Sequence, residues 1–280
     1  MAKIAHETSL TNEATGTATG TETVLHETTQ ETHASPIHIS LKAEELFSLG
    51  GFPVTNSILT TVFVLAALLA GGFAFKKKLA LIPRGFQNLV ETVLEGILGL
   101  MDSVLGNRAK SEKYLPLIGT IFLFVLFSNW SGLIPGVGSI GIRHGETLTP
   151  LFRAPSADLN FTLALALVTV IGVNLLAIIA LGIRVHASKF FNFSSPVNFG
   201  LGILEFISEF AKVVSFSFRL FGNVFAGEVL LTITAFLVPY FVPLPFLFLE
   251  IFVGFIQSLV FSMLALVFLS IATIEHEATN

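Results

Sequence analysis

Five stretches of the chain, residues 54–75, 115–134, 159–183, 197–238 and 244–274, are nearly unbroken runs of apolar residues. Each supplies the roughly 20 residues that a helix needs to cross a hydrocarbon core about 30 Å thick. A backbone in that core has no water to bond to, so runs of this kind read as spanning helices. Composition agrees: 53% of the 280 residues are hydrophobic and 12% are charged, about half the charged share of a soluble domain. The expected fold is therefore an all-α membrane protein. It has about five membrane-embedded helices plus one amphipathic surface helix, with the last two helices long and strongly tilted as a hairpin.

The surface helix is expected over residues 85–106. There Phe86, Leu89, Val90, Val93, Leu94, Ile97, Met101 and Val104 recur at helical spacing, while Asn88, Glu91, Glu95 and Asp102 take the other side. The two final runs are too long to stand upright. Residues 197–238 contain no proline and would extend on the order of 60 Å as a helix, twice the membrane thickness. Residues 244–274 follow a turn rich in proline, with Pro239, Pro243 and Pro245.

Basic residues orient these runs. Lys76, Lys77 and Lys78 directly follow the first run, Arg108, Lys110 and Lys113 precede the second, and Arg184 and Lys189 follow the third. Placing all of them on the cytoplasmic side is self-consistent. The N-terminus is then external, and the chain ends inside at Glu275-His276-Glu277. Residues 1–50 differ from all this. They are rich in Thr, Glu and His and too polar to bury a core, so a disordered tail is expected. The tail has no apolar segment behind a basic start, which argues against a signal peptide. His6, His26, His33 and His38 lack the spacing of a metal site.

Whole classes of chemistry drop out. Cysteine is absent, which removes disulfides, thiolate metal sites and cysteine nucleophiles. A net charge of −4 with no basic patch gives nucleic acid nothing to bind. No residue pattern calls for a cofactor.

What remains is the placement of charge inside the last two runs. On a helix, Glu205, Ser208, Lys212, Ser215, Arg219 and Asn223 all fall within about 40° of Arg219. They form one polar seam on a surface otherwise made of Phe, Leu, Val and Ile. Glu228 lies on the opposite face, about 13 Å further along. Glu250 and Gln257, seven residues apart, share a face of the next helix. Snorkelling to the interface is an adequate explanation for Glu209 and Lys212, which lie near the start of their run. It fails for Arg219 in the middle, where a buried Arg costs at least roughly 2.5–3.5 kcal/mol and cannot escape by losing its proton. The plain alternatives are that Glu228 or Glu250 pairs with Arg219, and that Asn223 and Gln257 are interhelical hydrogen bonds. The functional reading is a cation path, with protons the simplest cargo. A permanent positive charge blocks direct passage, and titratable acids on either side relay protons.

The run SFSFRLFGNVFAGE (residues 215–228) closely resembles the signature of the subunit a family of F-type ATP synthases. PSADLNFTLALAL (155–167), ILEFISEFAK (203–212) and IQSLVFSMLALVFLS (256–270) extend the resemblance to roughly residues 38–277. It implies a stator subunit in a bacterial inner membrane. Its partners would be a ring of small hairpin subunits, each carrying a membrane carboxylate, and one or more peripheral-stalk subunits. Arg219 matches the essential arginine that faces the ring carboxylate. Glu228 and Glu250 match the external half-channel relay, with Asn223 and Gln257 near Arg219, and Glu205 and Ser208 match the cytoplasmic half-channel. Both relay positions are Glu here, whereas some relatives carry one His, and Ser131 stands where some carry Asp. The runner-up is a secondary cation-coupled transporter. It would show an inverted repeat with matching broken helices, and the polar seam lies only in the last third.

Overall fold

The computed structural model describes residues 43–49, 51–77, 80, 85–134, 140–144, 147–183, 196–238 and 241–274. A short antiparallel hairpin comes first, β1 (Glu45–Leu49) against β2 (Phe52–Thr55). The polar tail expected over residues 1–50 lies outside the described residues up to residue 42. Its last part is strand instead, because Phe47 and Leu49 find register partners in Val54 and Phe52.

Six helices follow among the described residues. Helix α1 (Asn56–Lys77) starts two residues later than its apolar run, where Thr55 Oγ1 accepts the Ile58 N–H at 3.3 Å. It ends on Lys76 and Lys77, which oppose the negative end of the helix dipole. Helix α2 (Phe86–Leu105) is bounded by two glycines at positive φ, Gly85 and Gly106. Gly106 closes it in the left-handed conformation, donating its N–H to Asp102 O. Helix α3 (Arg108–Ser131) starts seven residues before its apolar run, since Asn107 caps it by accepting from the Ala109 and Lys110 N–H groups. Arg108 ties the corner between α2 and α3, contacting Glu95 and Asp102 at 2.9 Å and Glu112 at 3.2 Å. Bonds from Ser111 and then Arg108 hold the Asp102 carboxyl below its ordinary range.

A second hairpin, β3 (Gly141–His144) with β4 (Thr147–Pro150), and a 3₁₀ turn (Pro155–Ala157) lead to α4 (Leu159–Leu181). Asp158 caps α4 by accepting from Asn160 N. Helix α5 (Pro196–Leu237) has 42 residues, about 63 Å, and α6 (Pro243–Ile274) has 32, about 48 Å. Five of the six, all but α2, are long and apolar enough to cross a membrane. The chain is an integral membrane protein built from helices, with two short hairpins as its only described strands.

Helices α3, α4, α5 and α6 surround one core. Phe122 and Val125 of α3, Ala166 of α4, Leu220 of α5 and Leu266 of α6 are fully enclosed in it. Phe216 of α5 meets the Phe261 and Phe268 rings of α6 edge-on, at 4.6 and 5.6 Å. Elsewhere α6 approaches α3 at Gly254, where an added Cβ would stand 3.3 Å from Asn129 and 3.4 Å from Trp130. Helix α1 stays peripheral, burying only Asn56, Ser57, Thr60 and Val64. The apolar stripe of α2 divides: Ile97 and Met101 join the core, while Phe86, Leu89 and Val93 face outward.

Candidate functional site

The polar seam of α5 is present but is not one continuous environment. Packing divides it into three. Toward the start of α5, Glu205, Ser208, Glu209 and Lys212 line a cavity of about 230 Å³ shared with α4 and α6. Asn174 of α4 donates to Glu209 Oε2 at 3.1 Å, and Lys212 Nζ donates to Glu209 Oε1 at 2.6 Å. Lys212 also sits over the Phe268 ring, 5.0 Å from its centroid. Lys212 and Glu209 are therefore paired inside a cavity wall, which departs from simple snorkelling. The cavity is wide enough for several waters, and its polar lining suits a proton path.

Arg219 occupies the second environment. Its side chain is on the exposed face of α5, among Phe210, Val214 and Phe218, which are also exposed. Its one described bond is a long one, Nη2 to Ser215 Oγ at 3.4 Å. Neither Glu228 nor Glu250 forms an ion pair with it, so the plain alternative of an internal pair does not hold. Among the described residues no carboxylate meets this guanidinium. A permanent cation on an apolar, membrane-length surface is costly where it stays unpaired.

The third environment lies past Arg219. Asn223 Nδ2 donates to Gln257 Oε1 at 2.6 Å, the interhelical bond that the residue types allowed. Gln257 is buried, and its own Nε2 is left without a partner among the described residues. Two adjacent residues further along α5 decide the rest. Gly227 is buried, and a Cβ there would collide with the Glu250 carboxyl. The absent side chain is therefore the seat into which Glu250, 8% exposed, is inserted. Glu228, the next residue, turns to another partner: Arg153 Nη2 and Nε both donate to its Oε2, at 3.2 and 3.3 Å.

Sequence reasoning missed Gly227, Arg153 and Asn174. Gly227 left a usable signal, a glycine beside a singled-out carboxylate within a helix where glycine is unfavourable. Arg153 gave none, since it sits in a loop 75 residues before its partner. No group of described residues has the arrangement of a metal site.

Comparison with known proteins comes to the same region. The family model described as ATP synthase A chain matches residues 55–270. The protein named ATP synthase subunit a from Moorella thermoacetica is 35% identical over 239 residues, covering 85% of this chain and 97% of that one. A protein of the same name from Campylobacter jejuni is 34% identical over 223 residues, covering 79% and 88%.

Proposed function

From the premise that this chain belongs to the ATP synthase A chain family, we propose that it is the proton-translocating stator subunit of a rotary ATP synthase. It works as one part of a complex and does not itself form or break ATP. Its partners are a rotating ring of small hairpin subunits, each with a carboxylate in mid-membrane, and one or more peripheral-stalk subunits. It resides in a bacterial inner membrane.

The observation that carries this reading is Arg219, mid-way along α5, exposed on an apolar face with no carboxylate of the described residues beside it. The missing anion is supplied by each ring carboxylate in turn. An ionised ring carboxylate is drawn to Arg219 and must accept a proton before it can move away into lipid, because a bare charge there is prohibitive. Arg219 itself never deprotonates, so it cannot pass a proton along, and its charge keeps the two proton paths apart. One path runs from the outside through Glu228 and Glu250 to the Asn223–Gln257 pair. The other leaves through the cavity of Glu205 and Ser208 to the cytoplasm. At 42 residues, α5 must lie at a steep tilt to stay within the bilayer, and so follows the curved wall of a ring.

A tag on this chain should co-purify, in mild detergent, with multiple copies of one small hairpin subunit bearing a membrane carboxylate. Recovery of the chain without such a subunit, from membranes that make ATP, would falsify the reading. Orientation is tested separately. A single Cys at Glu95, whose side chain is 69% exposed, should react with an impermeant maleimide only from the cytoplasmic side.

A further inference from the structure

Three buried polar residues stand in the opening turns of helix α1, and nothing in the proton path uses them. Asn56, Ser57 and Thr60 are each at most 2% exposed. Two of them hold the segment that leads from β4 toward α4. Asn56 Nδ2 donates to Pro150 O at 3.4 Å, and Arg153 N donates to Thr60 Oγ1 at 3.2 Å. The Thr60 hydroxyl donates in turn to Asn56 O at 2.9 Å, so its direction is fixed. This anchorage pins the Arg153 backbone, and its guanidinium, on a residue only 8% exposed, reaches Glu228 on α5. Glu44, just before β1, has a buried Oε2 that lacks a hydrogen-bond partner among the described residues. Asp158 is occupied in capping α4, and Glu250 is seated at Gly227.

Building on the reading that Glu228 belongs to the external half-channel, we propose that Arg153 is a positioning residue for proton uptake, clamping the Glu228 carboxylate at the mouth of that path from a loop anchored on α1. Two guanidinium nitrogens, Nη2 and Nε, converge on one oxygen, Oε2, which leaves Oε1 outside the clamp to exchange protons with water or with the next relay group. Without the clamp, Glu228 keeps its place in the sequence but not a fixed orientation. Arg153 would not carry protons itself. It acts through Glu228.

The test is passive proton conduction by the membrane sector in stripped vesicles, normalised to the amount of assembled chain. Arg153→Gln should slow conduction on the order of tenfold, the scale of coupling between charged neighbours. In a Glu228→Gln background the same change should add little. Arg153→Lys should recover most of the rate, since a single acceptor oxygen does not demand the planar fork. A residue that merely shaped the fold would show neither the dependence on Glu228 nor the rescue by charge. If Arg153→Gln fails to assemble but the double variant assembles, the pair is coupled as proposed, because only the single change leaves the half-buried Glu228 carboxylate without its cation. Wild-type conduction in Arg153→Gln, an equal loss in both backgrounds, or failure of both variants to assemble would each overturn the proposal. Wild-type conduction in Glu228→Gln alone would instead remove Glu228 from the path and sink the half-channel reading.

Discussion

The two polar ends of α5 are constructed in opposite ways. Toward Glu205 the functional groups come almost entirely from α5 itself, with Asn174 the one described bond from α4, and they surround an open cavity of about 230 Å³. Toward Glu228 the groups come from several separate segments and are held by tight contacts, Arg153 on Glu228 and Glu250 in its seat at Gly227. An open, water-holding end tolerates a missing side chain, because water can take over a proton transfer. A packed end has no such reserve. Its polar groups depend on one another, and loss of one leaves its partner buried and unsatisfied. Sensitivity to substitution should therefore be uneven along one helix.

Arg219, between the two ends, should be the most sensitive position of all. Arg219→Ala is expected to abolish ATP-driven proton pumping by purified, assembled complexes, and Arg219→Lys to fail nearly as badly, because an ammonium facing an apolar membrane can lose its proton. Pumping by the Lys variant at near wild-type rate would mean that Arg219 is not the fixed barrier between the two ends.

Gly227→Ala probes the packed end without removing any polar group. The clash is with the tip of a flexible side chain, so the helix should fold and the Glu250 carboxyl should leave its seat. Proton conduction should fall about tenfold, in line with the roughly 1–3 kcal/mol cost of overpacking. Unchanged conduction would show that the seat of Glu250 is irrelevant to its role.

Glu228→Gln and Glu250→Gln test whether the packed end works as a unit. Each should slow passive conduction in part, and the double change should be little worse than the more damaging single one. Defects that multiply would mean two independent groups and would dissolve the contrast between the ends.

The smallest effect belongs to the open end. Glu209→Gln removes the Lys212 ion pair, which is only about one-fifth exposed on each side, yet conduction should change by less than about twofold, because Glu205, Ser208 and cavity water remain. A loss as large as that of Gly227→Ala would show that the cavity is as tightly coupled as the other end.

The sequence by itself determined the helices and the location of the chemistry. Run length and composition are local properties, so five spanning helices and the surface helix over Phe86–Leu105 could be read directly. Helical periodicity is local too, which is why the seam from Glu205 to Asn223 was visible without a structure. Its failures share one cause. The β1–β2 hairpin, the cap that starts α3 at Arg108, and above all the Arg153–Glu228 pair depend on which parts of the chain come together. Nothing in the spacing of Glu228 and Arg219 announced that Glu228 would pair with an arginine from a loop. Gly227 is the instructive middle case. The glycine could be read in the sequence, but its purpose could not, because an absent side chain has meaning only once Glu250 from another helix fills the space. Tertiary packing decided which polar groups share an environment, since hydrogen bonds and ion pairs act over about 3 Å of space whatever the separation along the chain.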